Sequence, residues 1–349
     1  MLKQKITKIF DDLKLDAIIS EAPQTRLWYA GVQTSDGFIV IEKDRAYLFV
    51  DGRYIEYASK FAKNVEVILL ESNGNTLANF LEKKKYANVG IEADYLQVQT
   101  LEYFKQMLPK AKFHNLKGKQ FRIKKDQEEY EQIEEACLIS LQAFEEFKKI
   151  LVEGMTELEA SNKLGYLMRL FGAEKECFES IIAFGSNAAE PHHHPTNRKL
   201  VDGDIVKVDF GAQYKGWASD ITRTFFFGKP KSPELVTILD IVTEAQRLGR
   251  EAVRPGIETS EIDKICRDYI ESKGYGKFFT HSTGHGVGID VHELPGVGRR
   301  SGNVVLEEGM VITVEPGIYV KDLGGARVED TILVTKTGAK VLSRPEDYK

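Results

Sequence analysis

Six of the seven histidines of this chain fall in two short segments rich in glycine or proline. His192, His193 and His194 lie in EPHHHPTN, and His281, His285 and His292 lie in HSTGHGVGIDVHE. Imidazoles gathered this way suit proton transfer or metal ligation, because their charge changes near neutral pH. The seventh, His114, stands alone and reads as an ordinary satisfied polar side chain.

Four carboxylates carry a second signal. Asp209 closes the alternating segment DIVKVDFG, and Asp220 opens DITRTFFF. The intervening GAQYKGWAS supplies turn residues, so the two segments should pair as a hairpin. A hairpin brings both carboxylates together, where like charges repel unless a cation sits between them. For this pair alone, two unrelated turn aspartates remain the competing reading. Glu315 ends the apolar strand VITVEPG, and Glu329 starts the strand EDTILVT. A carboxylate at the end of a buried strand is costly to desolvate without a partner. A metal ion or an arginine would supply one, and Arg327 should share a strand face with Glu329 two residues away.

Asp209, Asp220, His285, Glu315 and Glu329 thus form a set of four carboxylates and one imidazole. Oxygen-rich ligation with one histidine suits hard divalent ions, Mn2+ before Zn2+. Four carboxylates exceed the needs of one ion and suit two ions roughly 3.5–4 Å apart.

These residues need a scaffold, and the chain repeats itself around them. Gly154–Lys175 aligns with Gly256–Lys277 at a constant offset of 102 residues. Each copy runs from a glycine through a helix to a helix-stopping glycine. An internal duplication follows, with two related α+β halves facing each other across a cleft where a ligand would sit. A long amphipathic helix, from Asp126 to about Leu151, precedes the first copy.

Upstream, residues 2–14 have helical apolar spacing. Short runs rich in Ile, Val and Phe read as strands at Ala17–Ser20, Phe38–Ile41, Ala46–Val50, Val65–Leu70 and Val89–Ile91. Thr76–Lys85 and Gln97–Leu108 read as helices between them. This is a separate small α/β domain. A basic stretch, Lys117 to Lys125, ends it, and the boundary falls near residue 122. The expected domains are 1–122 and 123–349.

The 349 residues carry a net charge of −5, with 42% hydrophobic and 29% charged. This excludes collagen, long disorder and a disulfide-stapled miniprotein. The mild acidity gives no global drive toward nucleic acid or an anionic membrane. The charged N-terminus lacks a signal-peptide core, and no apolar run reaches the roughly 18 residues of a membrane span. Cys137, Cys177 and Cys266 are widely spaced and read as reduced thiols. A cytoplasmic location is expected.

The motifs VDFGAQYKGWASDITRT, HSTGHGVGIDVHE, VEPGIY and RVEDT, in this order and spacing, resemble those of the Xaa-Pro peptidases of metallopeptidase family M24. These are the aminopeptidase P and prolidase enzymes with the pita-bread fold. The first domain, with its LFVDGRYIEYA segment, is similar to the family's creatinase-type domain. The fold class implied is an α/β N-terminal creatinase-like domain plus an α+β pita-bread catalytic domain with an internal pseudo-two-fold duplication.

The resemblance implies a role for each matched residue. Asp209 would bind one metal, His285 the other, and Asp220 and Glu329 would bridge them. Glu315 would bind metal and accept a proton. His192 and His292 would contact substrate and the tetrahedral intermediate. His281 would line the pocket for the proline side of the substrate, and Arg327 would orient Glu329 and Asp220. Two divalent ions are implied, Mn2+ first with Co2+ or Zn2+ as alternatives, activating a bridging hydroxide that attacks the bond before proline. A homodimer acting on proline-containing peptides is implied as well.

The activity expected is that of an Xaa-Pro aminopeptidase, with Xaa-Pro dipeptidase as the alternative. In several prolidases an arginine closely follows the VHE histidine. Here Gly296 takes that place, with Arg299 and Arg300 a few residues later. Methionine aminopeptidase or a non-catalytic binding relative stand further back, since the first domain disfavours one and the intact ligand set the other.

Overall fold

The computed structural model describes residues 4–72, 74–299 and 301–344. The chain divides into two compact units, Met1–Arg122 and Ile123–Lys349.

The first unit is an α/β domain. Its elements run α1 (Gln4–Leu13), β1 (Ala17–Ser20), α2 (Pro23–Ala30), β2 (Phe38–Ile41), β3 (Ala46–Val50), α3 (Ile55–Phe61), β4 (Glu66–Leu69), α4 (Asn75–Lys84), β5 (Asn88–Glu92), α5 (Val98–Met107), β6 (Lys112–Leu116) and α6 (Gly118–Phe121). The strands form one mixed sheet in the order β4-β3-β2-β1-β5-β6. Ile19, Val40, Phe49, Val89 and Phe104 pack in its core. The strands β1 to β5 fall where the apolar runs predict them. Four elements were not expected: α2, α3, β6 and the short α6. Helix α2 carries legible signals, Pro23 in its first turn and Gly31 at φ 73° beyond its end. Strand β6 reads KFHNL, too polar for a hydrophobic pattern to mark it, and it pairs with β5 at the sheet edge.

The second unit opens with α7 (Gln127–Ile150) and α8 (Glu157–Leu170), each starting at a capping box, Asp126 with Glu129 and Thr156 with Glu159. Then come β7 (Lys175–Glu176), β8 (Ile181–Phe184), β9 (Ile205–Phe210), β10 (Ala212–Tyr214), β11 (Trp217–Ala218) and β12 (Ile221–Phe226). Helices α9 (Pro233–Ala252) and α10 (Thr259–Ser272) follow, and the chain continues through β13 (Gly284–Gly286), β14 (Glu293–Val297), β15 (Val311–Val314), β16 (Gly317–Val320), β17 (Gly324–Arg327), β18 (Asp330–Val334) and β19 (Ala339–Val341).

The two halves repeat one plan. Two helices lead into an antiparallel sheet, β12-β9-β8 in the first half and β14-β13-β15-β18-β19 in the second. The repeat extends to single hydrogen bonds. Gly154 N donates to Leu200 O, and Gly256 N donates to Leu306 O, both at 2.8 Å. Both glycines are left-handed, at φ 86° and 87°, where a side chain would be strained. The core of the second half gathers Ile238, Val242, Ile262, Ile312, Val314 and Ile332. Among the described residues no helix is long and apolar enough to cross a membrane.

Candidate metal centre

Strand pairing places the carboxylates. Asp209 sits near the end of β9, opposite Thr222 of β12, and Asp220 immediately precedes β12. In the other sheet β15 pairs with β18, so Glu315, just past β15, and Glu329, just before β18, meet at one edge. Asp209, Asp220, His285, Glu315 and Glu329 all line one cavity of about 410 Å3, with His192, His281, His292 and Arg327. All nine residues singled out in the sequence therefore share one pocket.

The carboxylates are short of positive charge. Asp220 and Glu329 are buried, at 5% and 1% exposure. Burial and the surrounding carboxylates push both well above the usual carboxylate range. Asp209 Oδ1 and Glu329 Oε1 are buried with no hydrogen-bond partner. Single ligand atoms of Asp220, His285 and Glu329 lie within 4.8 Å of one another. Orphaned buried oxygens beside an imidazole nitrogen fit divalent cations.

His285 is oriented for ligation. Its Nδ1 faces the Gly286 carbonyl at 3.0 Å, so that nitrogen carries the hydrogen. Nε2 is left facing Asp220 Oδ2 at 3.4 Å and Glu315 Oε1 at 3.2 Å. Burial alone would raise Glu315, but the hydrogen bond with His285 and the positive charges of His285 and Arg327 outweigh it and hold it at about 2. Glu315 is thus held ionised.

Arg327 departs from the expected geometry. Strand β17 ends at Arg327 and pairs with β16, whereas β18 begins at Asp330 in another sheet. The chain changes sheets at Val328 and Glu329, so Arg327 and Glu329 do not share a strand face. The Arg327 guanidinium pairs directly with Asp209. Its Nε donates to Thr222 Oγ1 at 3.0 Å, and Thr222 Oγ1 donates to Glu329 Oε2 at 2.6 Å. Its link to Glu329 therefore runs through a hydroxyl that the sequence reading did not single out.

The histidines of PHHHPTN separate. All three border the pocket, but their surroundings differ. His193 is buried, with Nε2 2.9 Å from Glu157 Oε2 and Nδ1 2.7 Å from Glu190 Oε2. His194 is 86% exposed. In the other segment the His292 ring meets that of His285 edge-on, with centroids 4.3 Å apart.

His281 is tied at both nitrogens. Nδ1 faces the Ser282 carbonyl at 2.8 Å, and a carbonyl only accepts. Burial lowers its pKa, so Nε2 of the neutral ring accepts from Tyr319 Oη at 2.8 Å. Tyr319 in turn accepts from Arg327 Nη1 at 2.9 Å, and burial pushes its own pKa up to about 12. His281 therefore presents a ring surface to the cavity rather than a donor. Tyr319 was missed in the sequence, although it closes the VEPGIY motif.

The match to known proteins follows this arrangement. The family model "Metallopeptidase family M24" matches residues 131–336. The chain belongs to family M24. The "Creatinase/Prolidase N-terminal domain" matches residues 3–124. Among M24 relatives, the Xaa-Pro dipeptidase of Pyrococcus furiosus is 38% identical over 98% of this chain and 97% of its own. A solved structure, "Xaa-Pro dipeptidase from Bacillus anthracis", superposes with a TM-score of 0.92 at 37% identity, covering 98% and 96% of the two chains. The X-Pro aminopeptidase from Thermotoga maritima gives 0.90 at 31% identity over 97% and 98%. The fold is the expected creatinase-like domain followed by the pita-bread catalytic domain.

Proposed function

We propose that this M24 chain is a metal-dependent Xaa-Pro peptidase that acts as an aminopeptidase on tripeptides and longer substrates. The observation that carries the reading is the convergence of Asp209, Asp220, His285, Glu315 and Glu329 on one pocket, with two buried carboxylate oxygens left unpartnered. These five side chains would hold two divalent ions, Mn2+ by the chemistry of the donors, with Co2+ or Zn2+ as alternatives. The ions would supply water made acidic enough to ionise at neutral pH, and a Lewis acid for the carbonyl before proline.

The chain's own groups do the rest. Glu315, held ionised, takes the proton of the attacking water and delivers it to the proline nitrogen as the C–N bond breaks. His292 and His192 stand at the wall to donate to the developing oxyanion. His281, with both nitrogens engaged, offers a ring face against which a pyrrolidine packs. Arg327 holds Asp209, Thr222 and Tyr319 in register, which fixes the ligands before substrate arrives. A cytoplasmic location and a homodimer belong to the same proposal and rest on family resemblance.

The preference for longer peptides rests on Gly296. A Cβ at this position would lie 2.4 Å from Ser301 Cβ, so Ser301 fills the space a longer side chain needs. Among the described residues lining the pocket, Arg327 is the only arginine or lysine, and it is committed to Asp209. A dipeptide's free carboxylate therefore finds no uncommitted arginine there. Arg299 lies 3.7 Å from Asp263, and Arg300 lies outside the described residues. The second reading, a dipeptidase, is favoured by the names of the Pyrococcus and Bacillus relatives.

The test is hydrolysis of Ala-Pro and Ala-Pro-Ala side by side with Mn2+-loaded protein, against a chelated control, read by mass spectrometry. Cleavage of the tripeptide alone supports the aminopeptidase. Preference for the dipeptide replaces it with the dipeptidase reading. Absence of metal-dependent cleavage of either peptide overturns both.

A further inference from the structure

Lys207 lies in the middle of β9, the central strand of its sheet, two residues before Asp209 and on the same face. It is fully buried, with 0% of its surface exposed. Burying an ammonium group is costly unless it is fully satisfied. Among the described residues no carboxylate stands within ion-pair distance of it. Its Nζ donates instead to three main-chain carbonyls of one loop: Ala188 O at 3.3 Å, Glu190 O, and Pro191 O at 3.4 Å. The centre of the Tyr319 ring is 5.1 Å away.

The next residue along that loop is His192. The Pro191 carbonyl also accepts from Arg327 Nη1 at 3.1 Å, so two buried basic side chains converge on the peptide group preceding His192. One of them is bonded to Asp209. On the far side Glu157 fixes the same loop through Asn187 Nδ2 at 2.9 Å and through Thr196 N and Oγ1. An apolar residue would fill the core of a three-stranded sheet without desolvation cost. A lysine that spends its donors on one loop is spending them on that loop's position.

We propose that Lys207 is a positioning residue: it fixes the loop 188–191 against the strand that carries Asp209, and so sets where His192 stands relative to the metal ligands. The inference rests on the peptidase reading for its effect on turnover. It does not rest on it for its effect on the loop.

The experiment uses the Mn2+-loaded full chain and Ala-Pro-Ala, with wild type, K207M, H192A and the double variant. K207M is expected to keep the melting temperature and bound Mn2+ close to wild type while kcat/KM falls about tenfold. In the H192A background the same substitution is expected to change kcat/KM by less than about twofold, because the residue it acts through is gone. Deuterium uptake of peptides spanning residues 186–196 is expected to rise about tenfold in rate in K207M, with the α9 peptides unchanged. Wild-type activity within twofold in K207M, or an equal fall in both backgrounds, overturns the proposal. So does unchanged uptake, whatever the activity. If wild type cleaves nothing, the peptidase reading fails and the uptake alone decides this one. Should K207M not fold, K207Q replaces it in each arm with the same expectations.

Discussion

Asp209 and Glu315 are structural counterparts, one in each half of the second unit. Each stands six residues after a left-handed glycine, Gly203 and Gly309, both at φ 87°. Each lies at the end of a strand, β9 or β15, that pairs antiparallel with the strand behind the second carboxylate of its half, Asp220 or Glu329. The four carboxylates are thus two copies of one device, a strand end facing a strand start. Copying it put like charges face to face. Without cations that arrangement is repulsive, and it adds to burial in raising the pKa values of Asp220 and Glu329.

Replacing Glu329 with glutamine should therefore separate stability from function. In chelator, replacing one carboxylate of this crowded buried cluster with a neutral amide should leave the melting temperature unchanged or raise it. Added Mn2+ should raise the melting temperature of wild type by mass action and that of E329Q much less. A thermal-shift titration checks both. An E329Q protein that gains as much stability from Mn2+ as wild type would remove Glu329 from the ligand set.

Thr222→Val removes the hydroxyl shared by Arg327 and Glu329. The ligands themselves remain. Loss of an outer hydrogen-bond partner of a ligand typically costs about 10–100-fold in metal affinity. Isothermal titration with Mn2+ should show a loss in that range, and an unchanged affinity would mean that the relay is decorative.

Glu157 gives a pH signature. Burial alone would raise its pKa, but hydrogen bonds from Thr196, the Phe184 amide, His193 and Asn187 outweigh it and hold it below the ordinary value of 4.5. A carboxylate depressed in the folded state stabilises the protein above its unfolded pKa, and loses that contribution as pH falls through the folded pKa. Wild type should be more stable than E157Q at pH 7, and the gap between their urea midpoints should narrow as pH falls below 4.5. A gap constant down to pH 3 would contradict the ionised assignment.

Substrate length should respond to Gly296. Gly296→Arg alone meets Ser301, so a loss of activity toward both peptides is expected. Combined with Ser301→Gly, the arginine gains room. A hydrogen bond to a charged group contributes about 1.5–3 kcal/mol. The ratio of kcat/KM for Ala-Pro over Ala-Pro-Ala should then rise by on the order of tenfold or more. An unchanged ratio in the double variant would show that this loop does not read the carboxylate.

What the sequence determined is what local pattern can encode. Alternation marked β9 and β12, and their pairing brought Asp209 opposite Thr222. The offset of 102 residues exposed the duplication. The unusual gathering of histidines and strand-end carboxylates, read with the family resemblance, picked out nine of the residues that line the cavity. Tertiary structure decided how those residues are held. Arg327 reads as a neighbour of Glu329, yet it pairs with Asp209, because the chain leaves one sheet for another between positions 327 and 330. PHHHPT reads as three equivalent imidazoles, yet Glu157 and Glu190 claim the middle one. Lys207 reads as one polar residue of an alternating strand, and its purpose appears only when Ala188, Glu190 and Pro191 fold over it. Hydrophobic period reports the backbone geometry of a short segment. A hydrogen bond between side chains more than a hundred residues apart leaves no period, so only the folded chain fixes which donor meets which acceptor.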